Sequence, residues 1–128
     1  MAGRKLAAAL GAGCTVVMKA PAETPYSMLA MVELCEQAGI PKGVVNVITT
    51  NENTKDVGKE MCENKKLKKL TFTGSTPVGK ILMSQSASTL KKLSFELGGN
   101  APFIGRFWSP KSTHTISILI EVLWFYSL

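Results

Sequence analysis

The segment TFTGSTPVGK, residues 71–80, has the residue types and order of a place for a bound anion. A strand-like run ends at Gly74, and Ser75-Thr76-Pro77 opens a helix-like run. Gly74 has no side chain, so the backbone there can come close to a ligand. Ser75 offers a hydroxyl and an N–H at a helix start, where unpaired N–H groups and the helix dipole favour negative charge. A dinucleotide pyrophosphate suits such a turn. The alternative is a plain Ser-capped helix after a strand, with no ligand. The segment is not the dinucleotide fingerprint G-x-G-x-x-G. The NTPase loop G-x-x-x-x-G-K-[ST] is matched at Gly74, Gly79 and Lys80, but Ile81 stands where the hydroxyl that binds Mg²⁺ belongs.

Two further segments carry chemistry. In SFELGGNAPF, residues 94–103, Glu96 sits where an apolar strand breaks into Gly98-Gly99. A carboxylate partly shielded there would have a raised pKa and could serve as a general base; the alternative is a Glu that caps or pairs in a loop. In VVMKAPAETP, residues 16–25, Lys19 closes an apolar strand and precedes two prolines and Glu23. At the C-terminal edge of a parallel sheet, Lys19 could reach ribose hydroxyls; otherwise it is a strand-end lysine in solvent. The three cysteines, Cys14, Cys35 and Cys62, are far apart and form no CxxC. They read as reduced, buried or half-buried small side chains rather than a disulfide framework or a zinc site, and no metal is expected.

The elements that must position these residues alternate. Residues 5–12 are Ala/Leu-rich and helix-like, and Gly13 closes them. Residues 15–18 form a β-branched run. Residues 27–38 place Met28, Met31, Val32, Cys35 and Ala38 at helical spacing, and Gly39 and Pro41 stop the helix. Strands follow at 44–48, 67–73 and from 93, with helices at 54–62 and 76–89. Strands alternating with helices imply βαβ units, hence an α/β fold: a partial Rossmann-like parallel sheet with flanking helices. After Gly105 the alternation stops, and residues 105–128 read as a separate apolar tail. Its run 116–126 has strand-like content, is too short for a membrane span and is expected to drive association.

With 45% hydrophobic and 19% charged residues among 128, the chain has a globular composition. Its net charge of +6 comes from 15 Lys+Arg against 9 Asp+Glu. The clusters Lys65, Lys66, Lys68, Lys69 and Lys91, Lys92 read as solvated helix ends and turns, so neither nucleic acid nor membrane is expected as a partner. The first residues show no signal peptide, and free thiols suit an intracellular protein.

Together, GCTVVMKAPAETPYS, AGIPKGVVNVI, LTFTGSTPVGK and LSFELGGNAPFI resemble the aldehyde dehydrogenase superfamily, from about Arg4 to Ile104. KKLSFELGGNAPF looks most like the succinate-semialdehyde branch. The resemblance implies a partial NAD(P)-binding domain over residues 1–104, NAD or NADP as cofactor and a small aldehyde as substrate. It implies that Lys19 holds the adenosine ribose, that Gly74 and Ser75 contact the pyrophosphate, that the Leu97 backbone lies by the nicotinamide and that Glu96 activates water. Complete members form homo-oligomers, and a mitochondrial or a cytoplasmic location is equally open.

Two departures stand out. The family's Lys-Pro-x-Glu becomes Lys19-Ala20-Pro21-Ala22, with the acid one place later at Glu23. A carboxylate three places after the lysine favours NAD, and a small residue leaves room for the 2′-phosphate of NADP; Ala22 tilts toward NADP. The family's nucleophilic cysteine, in a segment like N-x-G-Q-x-C, would fall past Leu128. The chain is therefore expected to be a truncated member, inactive by itself, or a non-catalytic binding or interaction protein derived from the family.

Overall fold

The structure is a computed structural model that describes residues 2–100 and, as strands, Phe103–Arg106 and Ile116–Leu119. The elements, in order, are α1 (Ala2–Gly11), β1 (Val16–Lys19), α2 (Tyr26–Gln37), β2 (Val45–Ile48), α3 (Thr54–Glu63), β3 (Lys69–Gly74), α4 (Thr76–Ser86), a 3₁₀ turn (Ala87–Thr89), β4 (Lys92–Leu97), β5 (Phe103–Arg106) and β6 (Ile116–Leu119). The alternation read from the sequence is present, with boundaries moved by a few residues.

Glycine ends the first two helices by the same device. Gly13 has φ +69°, and the N–H groups of Gly13 and Cys14 donate to the carbonyls of Leu10 and Ala9 at 2.9 Å. Gly39 has φ +84°, and Gly39 and Ile40 donate to Glu36 and Cys35 at 3.0 Å. A left-handed residue folds the chain back over the last turn and satisfies its carbonyls; glycine adopts that conformation without a Cβ penalty. Each helix therefore stops a few residues before the next strand begins.

The strands pair in parallel within βαβ units. Val16 to Lys19 of β1 lie opposite Val45 to Ile48 of β2, with α2 as the crossover. Lys69 to Gly74 of β3 lie opposite Lys92 to Leu97 of β4, with α4 as the crossover. Among the described strands these are two separate two-stranded sheets rather than one continuous sheet. Helix α1 packs on β1, and Lys5 Nζ on α1 donates a 2.8 Å hydrogen bond to Thr73 Oγ1 on β3. The described core is small: Leu6, Met18, Ala20, Cys62 and Leu70 are its buried apolar residues. Phe72 and Phe95, opposite each other across β3 and β4, meet edge to face with ring centres 6.1 Å apart. That geometry is preferred by aromatic quadrupoles.

Helix α3 is tied to the segment after α4. Lys91 Nζ donates to the Met61 carbonyl at 2.7 Å and the Asn64 carbonyl at 3.1 Å. Thr89 Oγ1 lies 3.0 Å from both the Cys62 and Ser86 carbonyls. The end of α3, where carbonyls lack intrahelical donors, is thus capped by side chains distant in sequence. This corrects the reading of Lys91 as a solvated lysine: it is only 8% exposed. Its neighbours in the other cluster, Lys65, Lys66, Lys68 and Lys69, are exposed as expected.

β5 pairs antiparallel with β6, from Phe103 opposite Leu119 to Arg106 opposite Ile116. The rest of the segment 105–128 lies outside the described residues.

Candidate functional site

The residues singled out for chemistry sit at one kind of place, the C-terminal ends of parallel strands. Lys19 ends β1 opposite Ile48, the end of β2. Gly74 ends β3 opposite Leu97, the end of β4, and Glu96 is one residue earlier, opposite Thr73. In open α/β sheets ligands bind at this edge.

Ser75 follows β3 directly and is the N-cap of α4, with φ −69° and ψ 146°. Its hydroxyl makes no capping hydrogen bond. The alternative of a plain Ser-capped helix has the cap at the right position, but the capping bond is not made. The Gly79 N–H donates to the Ser75 carbonyl at 3.0 Å, the first turn of the helix. Ahead of that bond, the N–H groups of Thr76 and Val78 have no intrahelical acceptor by the geometry of a helix start, and Pro77 has no N–H. The turn therefore offers donors at the positive end of the helix dipole.

The end of β4 lies over that first turn. A Cβ placed on Gly98 would come 3.9 Å from Thr76 Oγ1. A Cβ on Gly79 would come 2.6 Å from Leu97 Cδ2. Gly74, Ser75, Glu96 and Leu97 are thus brought together by the β3–β4 ladder and the packing of α4 on it.

Glu96 is exposed, so the described residues do not provide the partial shielding expected for it. A sheet position opposite Thr73 on a two-stranded sheet leaves its carboxylate open to water. Lys5 is the nearby cation that sequence reasoning missed. Burial lowers its pKa from the ordinary 10.5, while the negative charge of Glu96 works in the opposite direction. A lysine in an Ala/Leu-rich helix carries no motif, and only the tertiary contact with Thr73 reveals it. Gly79 was visible as the second glycine of the rejected NTPase loop, but its spacing alone said nothing of Leu97.

Lys19 is half-buried, and its Nζ donates to the Ala20 carbonyl at 2.9 Å. Ala22 and Glu23 are exposed in the bend after β1.

The cysteines are free and stand elsewhere. Cys14 lies before β1, at the opposite strand end, and is exposed, which corrects its reading as a buried or half-buried side chain. Cys35 lines a shallow cavity of about 130 Å³ at the N-terminal end of β2, with Val32, Ile40 and Val45. Cys62 is buried, with its Sγ 3.5 Å from the Leu82 carbonyl. Among the described residues no three His, Cys, Asp or Glu side chains gather as a metal site, and no helix is long and apolar enough to cross a membrane.

Comparison with known proteins places this geometry. The sequence pattern of the Aldehyde dehydrogenase family matches residues 1–105. A succinate-semialdehyde dehydrogenase [NADP(+)] of Saccharomyces cerevisiae is 66% identical over 104 residues, 81% of this chain and 21% of that protein. The mitochondrial succinate-semialdehyde dehydrogenase of Homo sapiens is 53% identical over 105 residues, 81% of this chain and 20% of that one. The crystal structure of succinate-semialdehyde dehydrogenase from Burkholderia pseudomallei superimposes with a TM-score of 0.74 at 54% identity, over 78% of this chain and 20% of that one. The chain spans about a fifth of the length of the relatives it matches. With a family pattern that covers most of its residues and a fold that superimposes on a solved relative, the chain belongs to the aldehyde dehydrogenase family.

Proposed function

We propose that these residues form the cofactor cradle of an NADP-preferring succinate-semialdehyde dehydrogenase. The observation that carries the reading is the turn at Ser75: an N-cap whose hydroxyl is uncommitted, at the C-terminal end of β3, with the end of β4 laid over it. Its donors suit the pyrophosphate of a dinucleotide. In this reading Gly74 allows the backbone to approach, Ser75 donates to the pyrophosphate and the Leu97 backbone lies by the nicotinamide. Lys19 turns from the Ala20 carbonyl to the adenosine ribose. Ala22 leaves space for a 2′-phosphate, in keeping with the NADP(+) in the name of the yeast relative.

A nicotinamide held there would supply a hydride acceptor for the substrate carbon. Glu96 accepts a proton from water as that water attacks the acyl thioester; the C–S bond breaks and the acid leaves. The thiol for that step is not Cys14, Cys35 or Cys62. Cys14 and Cys35 lie toward the opposite strand ends, and Cys62 is buried against Leu82. By themselves these 128 residues are therefore expected to turn over no aldehyde. An intracellular location goes with three free thiols; the name of the human relative speaks of mitochondria.

Titration of the purified chain with NADP⁺ and NAD⁺ tests the reading, and NADP⁺ is expected to bind at least as tightly. Clearly tighter NAD⁺, with Glu23→Ala reversing the order, would instead give Glu23 the role of a ribose-binding acid. Oxidation of succinate semialdehyde that is abolished by Cys35→Ser or Cys62→Ser would overturn the assignment of no turnover.

A further inference from the structure

We propose that the N-terminal end of the β3–β4 sheet is a docking surface for an acidic segment of another protein. Five exposed lysines meet there: Lys65 and Lys66 in the turn after α3, Lys68 just before β3, Lys69 at its start and Lys92 at the start of β4. The fold gathers them. Lys69 and Lys92 are partners across the parallel ladder, and the Lys92 N–H donates to the Lys68 carbonyl at 3.0 Å. The turn that carries the others is held by its own bonds. The Lys66 N–H donates to Asn64 Oδ1, and the Lys68 ammonium donates to the Lys65 carbonyl, each at 2.9 Å. Gly74, Glu96 and Leu97 lie at the other end of the same two strands, so a partner docked here leaves the cofactor edge open.

Little among the described residues offsets this charge. The C-terminus of α3 carries roughly half a negative charge, and the buried Lys91 ammonium already meets it at the Met61 and Asn64 carbonyls. The acids at that end of α3 are Glu60, which accepts from Asn64 Nδ2 at 2.7 Å, and Glu63. Among the described residues neither is in an ion pair with the five lysines. Like charges directly opposite each other in a ladder repel, so Lys69 and Lys92 gain from an anion between them. Their strands lie about 4.8 Å apart, close enough for one carboxylate to bridge both ammoniums. A single exposed lysine discourages a strand edge from pairing with another chain, and five at one sheet end go beyond that use. The side chains also select the partner. They include no arginine fork to grip phosphate and no aromatic ring to stack a base. The one apolar residue of the turn, Leu67, is half-buried rather than free to enter a bilayer. Ammonium groups on flexible stems suit clustered Asp and Glu side chains.

The test titrates the full 128-residue chain with poly-L-glutamate, with a DNA duplex of equal charge and with phosphatidylserine vesicles. Polyglutamate is expected to bind best at low ionic strength and to weaken as salt is added. Lys69→Glu with Lys92→Glu is expected to weaken it by about tenfold. Lys42→Glu with Lys55→Glu makes the same change in net charge away from the patch and is expected to have little effect. Lys69→Gln with Lys92→Gln removes the pair without reversing it, and a smaller loss is expected; it serves if the reversed pair disturbs the ladder. Equal losses in the patch and control variants show attraction to net charge alone and overturn the proposal. So does full affinity in the glutamine variant, or no binding of polyglutamate by the parent chain. Tighter binding of the duplex or the vesicles overturns the choice of an acidic protein as partner.

Discussion

Lys5 and Thr73 join the two parallel strand pairs through a 2.8 Å hydrogen bond from the lysine Nζ to the threonine Oγ1. Thr73 faces Glu96 across the β3–β4 ladder, so the same ammonium lies in the field of that carboxylate. Burial nevertheless dominates and lowers the Lys5 pKa below 10.5.

This sets a pH dependence. A lysine whose folded pKa is below its unfolded value binds fewer protons when folded, so stability rises with pH between the two values. The penalty of charging Lys5 is present below its folded pKa and fades as pH climbs to 10.5 and beyond. The melting temperature of Lys5→Met relative to the parent is expected to fall as pH is raised from 7 through about 10.5. A difference that stays flat with pH contradicts this.

At the turn proposed to hold the pyrophosphate, Ser75→Leu is expected to weaken NADP⁺ by about tenfold while the far-ultraviolet circular dichroism of the chain is unchanged. The serine side chain makes no capping bond, so its loss removes none from α4. Unchanged affinity at equal helicity shows that the turn is a plain helix start.

Replacing Lys91 by Met removes the donor from the Met61 and Asn64 carbonyls. The Asn64 carbonyl keeps the Leu67 N–H at 3.2 Å, while the Met61 carbonyl loses its donor, at a cost of about 1 kcal/mol to be read from urea denaturation. Thr89→Val is expected to lower stability by about 1 kcal/mol through loss of the bond to Cys62 or Ser86. Because both residues cap one helix end, the two losses are expected not to add.

Leu90 has φ +49° and ψ 29° and is 91% exposed. A left-handed conformation costs an L-residue roughly 1–2 kcal/mol. Leu90→Gly relieves that strain and loses little packing, but gives the unfolded chain more freedom, worth roughly 0.4–1 kcal/mol. The net expectation is a stabilisation of about 0.5–1 kcal/mol, checked by the midpoint of urea unfolding. A lower midpoint shows that the exposed leucine packs usefully.

The sequence carried most of what is local. Gly13, Gly39 and Pro41 announced the helix stops, and the β-branched runs announced the strands, because these signals act within a few residues. The placement of Lys19, Ser75 and Glu96 at strand ends followed from the alternation itself. Hidden from it were contacts across long sequence separations. Lys91 resembled any lysine beside a second lysine, and nothing local says that its ammonium closes a helix that ended at Glu63. The exposure of Glu96 was illegible for the same reason: shielding depends on what packs over β4, and β4 alone does not specify it. The division into two strand pairs also escaped, since the βαβ pattern fixes which strands are parallel and not which are neighbours.

That division bears on how the molecule opens. Each parallel pair closes through its own crossover helix, β1 to β2 through α2 and β3 to β4 through α4, and no ladder joins β1 or β2 to β3 or β4. Amide protons of the two pairs are then protected by separate sets of contacts, and native-state hydrogen exchange will sort them into two cooperative units rather than one. The half that carries the Phe72–Phe95 pair and the capped end of α3 is the slower of the two to release its protons.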